Sequence, residues 1–281
     1  MWQVGIMQGR LTKPKGRGIQ FFPFDNWREE FDLAKEIGLN EIEFIFDYEK
    51  YEENPIWQGR GEKVKEAIDE TGVCVKSVCF DYFMRRPFFK FDGTKREKVL
   101  EENKRIIEHI LCNMKQTGAT LLEIPLVDDS SLKSEQEAEA FRDFLLQILK
   151  NASDDIKFGL ETDLPPKGFK EYLDSFGQAR IGANYDSGNS SGLGYLPYEE
   201  VTILGDYIFN VHIKDRVYQG TTVALGTGSA DFKELFRGLK EIDYRESFIL
   251  QAARGEEGCE KDTILQQCQF VKDWIAVLRQ K

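Results

Sequence analysis

Short apolar runs alternate with longer segments of helical periodicity along the whole chain, the pattern of a parallel sheet wrapped by helices. In the segment after the first run, Trp27, Phe31, Ala34 and Ile37 are spaced to cover one helix face, and Gly38 is placed to end that helix. The pattern predicts eight strands, at 4–7, 42–46, 73–80, 120–125, 157–161, 181–186, 208–214 and 247–251.

Eight strand and helix units in 281 residues predict one (β/α)8 TIM barrel of the α/β class, since that fold takes roughly 250 residues. The barrel would be a single domain over residues 1–281, because no linker, repeat or low-complexity tract divides the sequence. An open doubly wound sheet is the alternative, but eight units are too many for its six strands. Asp231, with Glu234 three residues later, marks a capped helix start before the last predicted strand.

The charge balance and the cysteines narrow the class of protein. With 38 Lys and Arg against 49 Asp and Glu, the net charge of −11 disfavours nucleic acid as a partner. No charged leader precedes an apolar core, and no apolar run approaches the roughly 20 residues that span a bilayer, so we expect a cytoplasmic protein without membrane contact. Five cysteines without a CxxC pair favour buried free thiols over a disulfide framework.

Four predicted strands end in a polar residue that could bind a cation. They are Glu161 in FGLETD, Asp186 in ANYDSGN, His212 in NVHIKD and Gln251 in FILQAAR. The carboxyl ends of neighbouring barrel strands lie together, so these four side chains could converge. Two carboxylates, an imidazole and an amide oxygen suit Mn2+ or Mg2+, with Co2+ or Zn2+ as alternatives. The competing interpretation is ordinary loop-facing polar groups and, for His212, a hydrogen-bonded core imidazole.

At these positions the chain resembles the xylose isomerase-like sugar phosphate isomerase/epimerase family of TIM barrels, over nearly its full length. The HIKD run that begins at His212 is the most specific part of the match. The resemblance implies that Glu161, Asp186 and His212 bind a divalent metal. Two positions depart from the family pattern: Gln251 stands where glutamate is common, and Asn189 where a substrate-contacting histidine is common.

The departures bear on the reaction that the resemblance implies. Family members that epimerise a ketose exchange a proton between two glutamates across an ene-diolate, and Gln251 cannot take a proton near neutral pH. An aldose–ketose isomerisation needs one base, so Glu161 with a metal as Lewis acid suffices. Lys214 or Asp215 is a candidate second acid, although the two could instead form a salt bridge. We therefore expect isomerisation first and epimerisation second, with Glu161 and Gln251 at the catalytic positions.

Other functions are consistent with parts of the pattern. A metal-dependent dehydratase or lyase acting on a keto-sugar or inosose would pass through the same ene-diolate. A barrel that binds a sugar without turnover would tolerate Gln251 and Asn189. Hydrolysis at abasic DNA, which the same barrel family includes, is disfavoured by the presence of only two histidines and by the acidic charge.

Predicted loops supply candidate substrate contacts. Gly226 and Gly228 precede a helix start whose amides could hold a phosphate, unless they form a plain connection. Arg10 and Arg254 could each bind a phosphate or carboxylate through paired hydrogen bonds, unless they are surface arginines. With these four we group Asn189, Lys214 and Asp215 as the predicted contacts of a sugar or sugar phosphate.

Aromatic residues crowd the same predicted loops and suit the C–H face of a sugar, but they could equally pack loops together or form a homo-oligomer contact. The aromatic set comprises Phe21, Phe22, Phe24, Trp27, Tyr48, Tyr51, Trp57, Tyr82, Phe83, Phe88, Phe89 and Phe91.

Three further polar residues are given supporting roles. By strand alternation Glu43 and Glu123 point toward the barrel interior or its mouth. His109 lies in a predicted helix and is interpreted as structural.

Overall fold

The computed structural model describes residues 3–14, 16 and 18–279. Its main sheet is a closed barrel of eight parallel strands, so the predicted TIM-barrel fold is confirmed. The barrel strands are β1 (Val4–Met7), β2 (Ile42–Ile45), β3 (Ser77–Cys79), β4 (Leu121–Leu126), β5 (Lys157–Thr162), β6 (Ile181–Asp186), β7 (Ile208–Ile213) and β10 (Phe248–Leu250). Around the barrel they follow the order β1-β10-β7-β6-β5-β4-β3-β2.

Helices cover the outside of the barrel, and the remaining strands, β8 (Asp215–Arg216) and β9 (Thr222–Val223), form a small antiparallel hairpin after β7. Asp231 caps its helix as predicted, accepting a hydrogen bond from the Glu234 amide at 3.0 Å. The helices are α1 (Glu29–Glu36), α2 (Gly61–Thr71), α3 (Tyr82–Arg85), α4 (Gly93–Met114), α5 (Glu135–Asn151), α6 (Pro166–Phe176), α7 (Ser187–Leu193), α8 (Pro197–Leu204), α9 (Phe232–Glu241) and α10 (Glu260–Arg279).

The apolar core lies between the strands and the helices, whereas the barrel interior carries several polar side chains. Glu43, Glu123, Asn184, Asn210 and His212 are all buried there. Branched apolar residues usually fill the interior of such a barrel, and burying polar groups is costly unless they are hydrogen-bonded. The polar interior therefore marks the part of the fold that supports a site.

Half of the predicted mouth aromatics are buried, and aromatic contacts pack the loops after β2 and β3 against one another. Phe46 lies 5.9 Å from Phe80 and 6.2 Å from Tyr82, measured between ring centroids, and Phe83 lies 5.5 Å from Phe141 of α5. These contacts fix the loops that form the rim. Within the described residues, no helix is both long enough and apolar enough to cross a membrane.

Candidate active site

Three of the predicted ligands meet at the carboxyl ends of neighbouring strands. Glu161 lies near the end of β5, Asp186 ends β6, and His212 pairs with Asp186 in the register of β7. One ligand atom from each residue lies within 4.8 Å of the other two, and all three side chains are buried. Because parallel strands present their ends at one edge, adjacent strands bring these residues together although they are distant in sequence.

Glu43 of β2 orients the imidazole of His212 from inside the barrel. His212 Nε2 lies 2.7 Å from Glu43 Oε1, and His212 Nδ1 lies 3.4 Å from Glu161 Oε2. A proton on Nε2 donated to Glu43 leaves Nδ1 facing Glu161, which is the arrangement of a metal-binding histidine. Burial alone would lower the pKa of His212, but the carboxylates of Glu43 and Glu161 raise it well above its usual value.

Two asparagines hold the carboxylate of Glu161. Asn184 Nδ2 donates to Oε2 at 2.9 Å, and Asn189 Nδ2 donates to Oε1. Asn184 also lies 3.1 Å from His212 Nδ1. Sequence reasoning missed Asn184, although it stands two residues before Asp186 and therefore shares its face of β6. Asn189, predicted as a substrate contact, lines the mouth cavity and also touches the predicted base.

Asp186 uses its two oxygens differently. Oδ1 accepts the amides of Gly188 at 2.8 Å and Asn189 at 2.7 Å, which caps α7. Oδ2 lies 3.3 Å from Lys214 Nζ, whose ammonium also donates to Gln251 Oε1 at 3.1 Å. Gln251, the fourth predicted ligand, is thus joined to Asp186 through Lys214. The lysine also contacts Asn189 Oδ1 at 3.3 Å.

A row of hydrogen bonds leads from Gln251 across the mouth. Gln251 Nε2 donates to Gln20 Oε1 at 3.0 Å, and Gln20 Nε2 donates to Asp81 Oδ2 at 2.6 Å. Burial raises the pKa of Asp81 to about 6, and the Gln20 hydrogen bond opposes that rise. The sequence signal for Asp81 is its position just after β3. Gln20 lies in a loop without any such pattern.

The site opens into a cavity of about 730 Å³ at the barrel mouth. Both Glu161 and Asp81 line it, together with the cationic side chains of Lys214, Arg216 and Arg85. Arg216 also donates to Asn189 Oδ1 at 3.1 Å. The cavity therefore brings acids, amides and cations onto one surface, which suits a polar ligand.

The glycine loop after β7, which contains Gly226 and Gly228, binds the carboxylate of Asp215 from the same chain. Asp215 Oδ2 accepts the amides of Gly226 and Gly228, each at 2.9 Å, and Oδ1 accepts that of Ala230 at 3.0 Å. Asp215 has no solvent exposure and does not line the mouth cavity. The expectation that Gly226 and Gly228 hold a substrate phosphate is therefore corrected, because Asp215 already fills that place, and Asp215 is not positioned as a second acid.

Arg10 and Arg254 tie down the loop after β1. Arg254 donates to the carbonyls of Ile19 and Thr12, each at 3.1 Å, and to that of Gly9. Arg10 donates to Ile19 O at 2.5 Å and lies 3.4 Å from the backbone carbonyl of Gln251. In this arrangement both guanidinium groups bind backbone carbonyls where a substrate phosphate had been expected, and they position the loop that carries Gln20.

Residues 31–274 match the family model described as xylose isomerase-like TIM barrel. The L-ribulose-5-phosphate 3-epimerase UlaE of Shigella flexneri is 24% identical over 268 residues, covering 89% of this chain and 90% of the relative. A D-allulose 3-epimerase from Methylomonas sp., solved in complex with D-allulose, superposes with a TM-score of 0.75 at 15% identity and covers 97% of this chain and 96% of its own.

A structure of the IolI protein with a bound zinc atom superposes with a TM-score of 0.73 at 16% identity, covering 98% of each chain. Both structural matches show that the fold is shared. The two named enzymes are epimerases, in agreement with the enzyme class that the sequence predicts.

Proposed function

The chain belongs to the xylose isomerase-like TIM-barrel family, and from this premise we propose that it is a divalent-metal-dependent sugar isomerase/epimerase with Glu161 as its base. The observation that carries the proposal is the approach of Glu161, Asp186 and His212 to within 4.8 Å of one another, with Glu161 lining the mouth cavity. The epimerases of a ketose and a sugar phosphate among the similar proteins support the substrate class.

The residues present fit a divalent ion. Glu161, Asp186, His212 through Nδ1, and the amide oxygen of Gln251 would hold it, and this donor set suits Mn2+ or Mg2+, with Co2+ or Zn2+ as alternatives. When bound, such an ion polarises the substrate carbonyl and stabilises the negative charge that develops on its oxygen. The contact between His212 Nε2 and Glu43, at 2.7 Å, supports this donor set because it orients Nδ1 toward the other ligands.

Glu161 moves the proton in this proposal. Its Oε2 faces His212, while Oε1 faces Asn189, so Oε1 is the oxygen that takes a proton from the carbon next to the carbonyl. Returning that proton on the same face to the former carbonyl carbon, while the hydroxyl proton moves from the oxygen of the second carbon to the former carbonyl oxygen, converts an aldose to a ketose. The ammonium of Lys214 lines the cavity and can hold a substrate oxygen during the transfer.

Asp81 makes epimerisation a second activity of the same site. Inverting a carbon requires a proton from the face opposite Glu161, and Gln251 cannot supply one. Asp81 also lines the cavity, and Gln20 links it to Gln251 through hydrogen bonds of 2.6 and 3.0 Å. We assign Asp81 the opposite-face proton because of this position.

A substrate phosphate would not bind at the glycine loop, since Asp215 already accepts hydrogen bonds from the amides of Gly226 and Gly228. A phosphate would instead meet Arg85, Arg216 or Lys214 on the cavity wall.

A dehydratase or lyase on a keto-sugar or inosose would share the first proton transfer and then expel a β-hydroxyl. A sugar-binding barrel without turnover would use the same cavity.

Isotope exchange tests the proposal. The protein with added Mn2+ is incubated in D2O with a panel of ketoses, their phosphates and inososes, and the sugars are followed by NMR. We expect a new sugar, or deuterium at a carbon beside the carbonyl, and we expect Asp186→Asn combined with His212→Asn to abolish both. No change in any sugar, despite metal bound to the intact protein, would exclude isomerisation and epimerisation.

A separate variant tests the role assigned to Asp81. Asp81→Asn should retain isomerisation and lose formation of the epimer, because only the opposite-face proton is removed. Unchanged epimer formation in this variant would assign that proton to another group.

A further inference from the structure

Three side chains from neighbouring strands converge inside the barrel, next to the mouth cluster of Glu161, Asp186, His212 and Gln251, and one of the three contacts His212. They are Glu43 of β2, Cys79 of β3 and Glu123 of β4, and Cys79 and Glu123 stand opposite each other in the register of the two strands. One ligand atom from each lies within 4.8 Å of the other two. None of the three residues is more than 1% exposed.

Glu123 is the unusual member of this group. Neither of its carboxylate oxygens meets a hydrogen-bond donor among the described residues, although both are buried. The thiol of Cys79 donates to Asp81 Oδ1 at 3.3 Å instead. A buried carboxylate without a partner is costly, and either a proton or a bound cation on Glu123 would remove that cost.

Glu43 has capacity for one more ligand. A carboxylate offers about four lone-pair positions, and Glu43 uses three of them. Oε2 accepts from Ser77 Oγ at 2.5 Å and from Asn210 Nδ2 at 2.7 Å, and Oε1 faces His212 Nε2 at 2.7 Å. One position on Oε1 is therefore free to bind a cation while the contact with His212 is kept.

We propose that Glu43, Cys79 and Glu123 bind a second divalent cation, of the thiolate-preferring class that includes Zn2+ and Co2+. A thiolate with two carboxylates provides the soft and hard donors that such ions accept. Binding replaces the sulfur–hydrogen bond of Cys79 by a sulfur–metal bond and releases one proton to solvent. Cys79 and Glu123 both line the mouth cavity, which gives the ion a route to the site.

The second cation would act as a positioning group. It binds the carboxylate that orients His212, so its presence fixes the imidazole of the mouth cluster from behind. This inference does not depend on the reaction proposed above, because it concerns only the binding of an ion by these three residues.

Cobalt binding tests the proposal with the ion alone. Metal-free full-length protein is titrated with Co2+, the thiolate-to-cobalt charge-transfer band is recorded, and bound cobalt is counted after equilibrium dialysis. We expect two ions per chain and a band that appears with one of them. Cys79→Ser should remove the band and one ion, and Glu123→Gln should weaken binding of that ion at least tenfold.

Asp186→Asn is the matched control, because it should weaken the mouth ion and leave the thiolate band intact. Circular dichroism and thermal unfolding of each variant separate a lost site from a lost fold. One ion without a band in the unmodified chain would overturn the proposal. So would a band that survives Cys79→Ser, which would assign the thiolate to another cysteine.

Discussion

The mouth cluster, comprising Glu161, Asp186, His212 and Gln251, and the glycine loop after β7 lie at the same end of the barrel and carry polar groups of similar kind. In the loop, the carboxylate of Asp215 accepts three backbone amides and is fully buried. In the cluster, Glu161 and Gln251 line a cavity and are held by side-chain amides and an ammonium.

The two regions differ in the kind of group that forms hydrogen bonds with their polar side chains. Backbone amides around Asp215 are fixed by the loop fold, so that set is complete within the chain. The partners of Glu161 and Gln251 are side chains that can rotate and exchange their contacts for a ligand. A glycine-rich loop before a helix identifies an anion-binding geometry, but only the structure shows whether the chain itself supplies the anion.

Replacing the base should have the largest effect on activity. Glu161→Gln removes the carboxylate proposed to take the proton in isomerisation, so we expect kcat/KM for the exchange reaction to fall about 10²- to 10⁴-fold. Asp163→Asn is the matched control, because Asp163 pairs with Ser131 and Lys133 near the rim. Retention of most activity by Glu161→Gln, measured with full metal occupancy, would transfer the role of base to another residue.

Removing the resident anion should produce the largest loss of stability. Asp215→Ala leaves three partly buried amides without their acceptor, and we expect the free energy of unfolding in urea to fall by about 3 kcal/mol. Inorganic phosphate should then restore part of that loss in the variant and have little effect on the unmodified chain.

Asp231→Ala is the control for this pair of measurements. Asp231 accepts one helix amide and should cost about 1 kcal/mol, without any response to phosphate. Equal stabilisation of all three proteins by phosphate would contradict the description of Asp215 as the resident anion.

The barrel strands were predictable because each is a short, buried and largely apolar run, although polar residues such as Glu43 and Asn210 interrupt some of them on the inner face. Helix α7, which follows β6, was not predictable, since its sequence SGNSSGL is rich in serines and glycines that disfavour helix formation. The carboxylate of Asp186 stabilises its first turn by accepting two amides, a contact that propensity alone does not reveal.

The candidate site was predictable where residues end adjacent strands, as Glu161, Asp186 and His212 do. The partners of those residues were harder to predict because they come from remote positions. Glu43 lies 169 residues from His212 in sequence, and the closure of the barrel alone brings them to 2.7 Å. Alternation along β2 indicated that Glu43 points inward, but nothing in the sequence gave its partner.

Close packing around Asp215 offers a second way to disturb the glycine loop. A Cβ at Gly228 would lie 2.2 Å from Asp215 Oδ1 and 2.8 Å from the carbonyl of Arg216. We expect Gly228→Ala to lower the free energy of unfolding by about 2 kcal/mol. The control is Gly168→Ala in α6, where the nearest atom would be 4.0 Å away and a small gain is expected. Equal stability of the two variants would show that the loop can relax.

Lys214 allows the mouth cluster to be tested, since its ammonium contacts two oxygens proposed to bind the metal. Lys214→Met removes a positive charge beside the ion, so the Kd for Mn2+, measured by calorimetry, should fall about tenfold. Turnover should fall as well, because the lysine also holds substrate oxygen in the proposed reaction. Weaker Mn2+ binding in this variant would mean that the lysine supports the ligand set.

The smallest effect concerns Glu200 in α8, a buried carboxylate whose Oε2 has no hydrogen-bond partner among the described residues, in contrast to Asp215. Burial raises the pKa of Glu200 to about 7 from its usual 4.5. The folded protein therefore holds this proton more tightly, and the resulting stability is complete below the unfolded value and lost as the pH rises through about 7. We expect the free energy of unfolding to fall by about 1 kcal/mol between about pH 6 and pH 7.5, and Glu200→Gln to remove that fall. Identical pH profiles for the two proteins would mean that Glu200 in the folded protein is already ionised at pH 6 and that a polar partner stabilises its carboxylate.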